Sequence, residues 1–110
     1  MARLLDPGSL NVRLMLERPV ETPDGQGGAT VGFAALATLW ARIEPVAARA
    51  EEAAGAQRIA VTHRIWLRRR GDLAGGMRLR KGARLFVIHA FRDPDETGRY
   101  MLCDCEETRP

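Results

Sequence analysis

No stretch of this sequence stays apolar for the roughly 20 consecutive residues that a membrane helix needs, so no membrane-spanning helix and no membrane partner are expected. The start, Met1-Ala2-Arg3-Leu4-Leu5-Asp6-Pro7, breaks off too soon to serve as a signal peptide. The expected location is therefore the cytoplasm, or a particle built there. Aromatic residues make up only 5% of the chain, which leaves too few rings for a single-strand stacking platform. Serine occurs once, at Ser9 near an unanchored terminus, and no Gly-x-x-x-x-Gly-Lys-Ser/Thr phosphate loop is present. Charge of one sign is also scarce: 17 basic residues against 14 acidic ones leave a net +3, mild for a dedicated nucleic-acid binder.

Cysteine is limited to Cys103 and Cys105, one residue apart on a predicted strand and hence on one face. A disulfide between them would close a very tight loop with poor geometry, so reduced thiols are expected. Hydrolytic catalysis needs a nucleophile, a base and a group that orients the base. His63 and His89 lie mid-strand among Val61, Ile65, Val87 and Phe91, the pattern of satisfied core or interface histidines. Zinc sites draw their ligand pairs from turns with two to four intervening residues, which Cys103-x-Cys105 does not match. Asp93-Pro94-Asp95-Glu96 lacks calcium-loop spacing and reads as a hairpin turn. No enzyme activity, metal or other cofactor is expected.

What the sequence does contain is alternation. Val12, Leu14 and Leu16 oppose Arg13, Met15 and Glu17 in a first strand over Leu10–Val20. A Gly-rich stretch over Glu21–Gly32 follows and reads as a mobile, exposed hairpin tip. Thr38–Val46 is predicted as the second strand, with Leu39, Ala41 and Ile43 on the face away from Trp40, Arg42 and Glu44. Pro45 is well placed to open a helix, and the alanine-rich Val46–Ala54 is predicted to be one, stopped by Gly55. Further strands are expected over Ile59–Arg68, Met77–Arg80, Arg84–Phe91 and Arg99–Glu106. The fold class is mainly β: a small antiparallel β-barrel of about six strands, with one short inserted α-helix and a long Gly-rich hairpin, in a single domain over 1–110.

Trp40 and Trp66 are out of phase with their strands' aliphatic faces. Each is expected either to close a second core or to sit at a subunit contact, beside Arg42, Arg64 and Arg68. Arg68-Arg69-Arg70, Arg78, Arg80, Lys81 and Arg84 fall near consecutive strand ends and are expected to converge on one rim. A protein partner is favoured over direct DNA grip for want of stacking residues.

These stretches, in this order, resemble the head-tail joining proteins of long-tailed bacteriophages, also called head-completion or stopper proteins. The matching residues are Pro7-Gly8-Ser9-Leu10, the turn Asp24–Gly28, Trp40-Ala41-x-Ile43-x-Pro45, the acidic Glu51-Glu52, Ile65–Arg68, Arg78-Leu79 and Gly82–Ile88. Phe33 stands where tryptophan is common, and the cysteine pair is not expected from the family. The resemblance implies a ring, six-fold at the neck of the virion, that closes the portal channel, retains packaged DNA and docks the tail. Its partners would be the portal or adaptor ring above and a tail terminator or tail tube protein below, with transient DNA contact in the channel. Asp24, Gly25, Gly27, Gly28, Phe33, Trp40, Arg42, Trp66 and Arg68 are the expected subunit or partner interface. Glu44, Arg49, Glu51, Glu52 and Gln57, in or beside the Pro45–Arg58 segment, are expected to line or gate the channel. The alanine-, arginine- and glycine-rich usage fits a GC-rich source such as a prophage or gene transfer agent. The alternative reading is a free-standing β-barrel nucleic-acid-binding module.

Overall fold

The computed structural model of the chain describes residues 7–52 and 58–108, excepting the side chains of 7, 48–52, 58 and 59. After a 3₁₀ turn at Pro7–Ser9 come six strands: β1 (Val12–Pro23), β2 (Ala29–Glu52), β3 (Arg58–Arg68), β4 (Arg78–Lys81), β5 (Arg84–Arg92) and β6 (Tyr100–Thr108). All pairings are antiparallel, in the order β1-β2-β3-β6-β5-β4, and β4 returns to β1 so that the sheet closes on itself. The closing seam is short, with only the rungs Met15–Arg80, Leu16–Leu79 and Glu17–Arg78. Register shifts between Leu16 and Glu17 opposite Leu36, and between Ile88 and Ala90 at His89, add the local bend that a small closed sheet requires.

Period-2 alternation sends one side chain of every pair inward. Leu14, Leu16, Ile65, Leu67, Leu79, Phe86, Ile88, Cys103 and Cys105 are all fully buried there, and Leu73 and Met77, from the β3–β4 connection, complete the cluster. Burying each large aliphatic or aromatic side chain contributes about 1.5–3 kcal/mol. Among the described residues the interior is therefore a filled core. A second cluster forms on the outer face, where Leu10 covers Trp66, Tyr100 and Leu102. The Trp66–Leu102 and Arg68–Tyr100 rungs bring those rings to one patch of β3 and β6.

The prediction of a helix over Val46–Ala54 is not borne out. Val46–Glu52 continues β2, and its backbone pairs with β3 through Arg49–Val61, Ala50–Ala60, Glu51–Ile59 and Glu52–Arg58. Ala53, Ala54, Gly55 and Gln57 lie outside the described residues. Alanine's helix preference is worth only tenths of a kcal/mol per residue over most alternatives. A partner strand carrying the β-branched Ile59 and Val61 supplies a hydrogen-bonded ladder instead. Pro45 marks a break in register rather than a helix start: three residues of β2 separate the Pro45–His63 and Arg49–Val61 rungs where β3 has one. The Gly-rich tip is also shorter than expected, because strand pairing runs to the Pro23–Ala29 rung.

Candidate protein-interface site

β2 builds both projections of the molecule. Among the described residues its first part pairs with β1 alone, and beyond Glu17 β1 has no other neighbour, so Arg18–Pro23 with Ala29–Ala34 forms a two-stranded arm. Its last part pairs, among the described residues, with β3 alone, and β3 meets β6 there only from His63 onward, which makes a second arm. The first arm ends in a turn built by Asp24, whose carboxylate accepts N–H bonds from Gln26 (2.7 Å) and Gly28 (3.1 Å). Gly25 and Gly27 supply positive φ of 81° and 82°, a region costly for other residues.

The root of the first arm is clamped. Glu17 is 8% exposed and accepts Nε–H bonds from Arg78 (2.6 Å) and Arg80 (3.0 Å), tying β1 to β4 at the closing seam. The Arg78 guanidinium also lies 3.7 Å over the Phe33 ring, which fixes β2 to the same point. Further out, Val31 is 61% exposed and Phe33 37%. A two-stranded ribbon carrying such side chains is marginal in water by itself.

On the outer face of the closed sheet, Trp40 is 53% exposed with the Arg13 guanidinium 5.6 Å from its ring centre. Leu39, Trp40, Arg68, Arg69 and Arg70 line an open groove of about 250 Å³ where β3 leaves β2. Arg70 is engaged by Asp72 in a bidentate pair that holds the Asp72 carboxyl below its ordinary range. Arg68 and Arg69 have no carboxylate partner among the described residues. Of the other arginines expected near one rim, Arg78 and Arg80 serve Glu17, and Arg84 makes a bidentate pair with Glu107.

The other expected site residues are dispersed. Arg42 pairs with Glu44 at 3.3 Å along β2, and Trp66 is only 6% exposed, within the subunit's own outer cluster. Arg49, Glu51 and Glu52 take backbone positions on the second arm, and Gln57 falls outside the described residues. His63 sits on the first β3–β6 rung with its ring edge against Phe86, centroids 5.1 Å apart. Burial lowers its pKa, opposed by Glu107 and assisted by Arg84. His89 sits instead at the β5 bulge, 2.9 Å from Glu106. Burial pushes the Cys103 thiol up to about 12, and that of Cys105 higher still, which disfavours the thiolate at both. Among the described residues no three His, Cys, Asp or Glu side chains are grouped to hold a metal. Asp93 and Asp95 spend their carboxylates on the turn, accepting from Gly98 N–H and the Thr97 hydroxyl at 2.7 Å.

The family model described as phage head completion protein matches residues 5–108. The chain belongs to the phage head completion protein family. It is also similar to a chain from the virion of a native gene transfer agent particle, with 29% identity and a TM-score of 0.68 over 91% of this chain and 96% of that one. A comparison with curated proteins finds no match. The resemblance read from the ordered motifs is thereby borne out. A head completion protein is a structural component of a virion, not a member of an enzyme class, and the described residues offer contact surface of that kind: exposed apolar side chains on the first arm and an arginine-flanked tryptophan. Sequence reasoning missed the Glu17–Arg78–Arg80 clamp and the Arg13–Trp40 stack. Both join residues from different strands, and nothing local marks either.

Proposed function

We propose that copies of this chain form a ring at the head-tail interface that closes the portal channel, retains packaged DNA and docks the tail. The observation that carries this reading is one filled, closed sheet with an arm at each end of β2. Because the interior is packed, any channel must lie between subunits, and a ring requires two different faces of the subunit to meet. The arms are the parts free to make those contacts.

In this reading the β1–β2 arm, with Asp24, Gly25, Gly27, Gly28 and Phe33, clasps a neighbour or the ring above. The β2–β3 arm, with Arg49, Glu51 and Glu52, lines or gates the channel beside Glu44. The ring is six-fold, assembled in the cytoplasm between the portal or adaptor ring and a tail terminator or tail tube protein. The nucleic-acid module is disfavoured because Arg64, Arg70, Arg78, Arg80, Arg84 and Arg92 are each engaged by a carboxylate of the chain, Glu17, Asp72, Asp104 or Glu107. Electron microscopy of particles from a strain lacking the gene tests the proposal. Tailless heads leaking DNA beside free tails are expected; intact tailed particles would refute it.

A further inference from the structure

The two strands of the first arm treat their outer edges differently. Asp24 donates its N–H to the Gly28 carbonyl at 3.1 Å, which makes that pair a hydrogen-bonded rung. Alternation along an antiparallel ladder then makes Pro23–Ala29, Glu21–Val31 and Pro19–Phe33 the non-bonded rungs. The N–H groups of Ala29, Val31 and Phe33 therefore point away from β1, to the open edge of β2. The corresponding positions on β1 are Pro23, Glu21 and Pro19. Two prolines without an N–H and a charge between them are the ordinary guards of an exposed edge.

β2 has no such guard. From Ala29 to Ala41 it carries neither a charge nor a proline, and Val31, Phe33 and Leu36 remain exposed beside the unpaired backbone. Aligned donors with apolar side chains next to them are what strand addition uses. The edge opens where β3 ends at Arg68, so an added strand would lie in line with β3. One end of it would enter the groove formed by Trp40, Arg68 and Arg69. Those two arginines lack a carboxylate among the described residues, and an acidic group on the incoming strand would complete them.

We propose that the open edge of β2, from Ala29 to Leu39, binds an extended segment of another protein by strand addition. That segment is apolar where it meets Val31 and Phe33 and carries a carboxylate where it reaches Arg68 and Arg69. The proposal rests on the reading of the arm as an assembly contact and names the chemistry of what it takes. A nucleic acid would use the arginines but not the row of backbone donors.

The probe is a synthetic peptide of alternating valine and threonine ending in two aspartates, added to the intact protein and followed by amide hydrogen exchange. Slowed exchange at Ala29, Val31 and Phe33 is expected. It should be lost with a peptide N-methylated on alternate residues, and lost in Val31→Pro, which removes an edge N–H but no β1–β2 bond. Should Val31→Pro fail to fold, Arg68→Glu with Arg69→Glu serves instead, abolishing binding of the aspartate peptide and restoring it to one ending in lysines. No protection, or protection that survives N-methylation, overturns the proposal. Protection that grows with protein concentration without peptide would place a second copy on the edge and also overturn it, as would an oligonucleotide that displaces the peptide. If particles assemble normally without the arm's tip, the assembly reading fails; a silent peptide removes only the edge.

Discussion

Trp40 and Trp66 occupy equivalent positions in their strands' alternation, yet one is half exposed and the other sealed by Leu10. Their substitution should separate accordingly. Trp66→Ala is expected to cost about 3–5 kcal/mol, as for other buried aromatics. Trp40→Ala should stay within about 0.5 kcal/mol of the parent while reducing incorporation into particles. Urea titrations with particle assays check both. His63 carries the clearest pH dependence. Burial holds its pKa below the ordinary 6.5, so the unfolded chain takes up the proton first as pH falls. Stability should be full above about pH 6.5 and decline below it, through the window down to the lowered folded value. His63→Gln should flatten that decline in thermal melts between pH 5 and 8, and an unchanged slope would assign it elsewhere.

The strands were legible from alternation because each has one face on the core and one on solvent. The arms were not. Val46–Glu52 reads as helix by composition, and only pairing with Arg58–Val61 makes it a strand. The break in register after Pro45 is where that arm leaves the closed sheet. Trimming Asp24–Gly28 should abolish incorporation, and crosslinking 45–58 between subunits should block DNA exit from filled heads. Normal assembly, or unimpeded release, would count against the respective arm.

For the molecule as a whole, stability should be graded. Ladder amides of Leu14, Ile65 and Cys103 lie in the packed, closed part and are expected to exchange only on global unfolding. Ladder amides of Val20 and Thr22 in the first arm, and those of the β2–β3 pairing beyond Pro45 in the second, have a single neighbouring strand among the described residues and should exchange through local opening. In the assembled particle that difference should shrink as both arms gain partners. Hydrogen exchange on free protein and on particles makes the comparison. Uniform protection in the free protein would mean that the arms are already stabilised within one subunit.

Residue order by itself determined the strand phases, the buried face of each strand, the turn at Asp24 and the family, because those depend on neighbours within a few positions or on the succession of motifs. Tertiary structure alone decided that β4 closes on β1, that Glu17 gathers two arginines across that seam, that Trp66 is covered and Trp40 is not, and that Val46–Glu52 is extended. Each of those depends on which distant strand lies alongside. Burial, ladder hydrogen bonds and ion pairing across strands together outweigh the tenths of a kcal/mol in local propensity from which the helix was read.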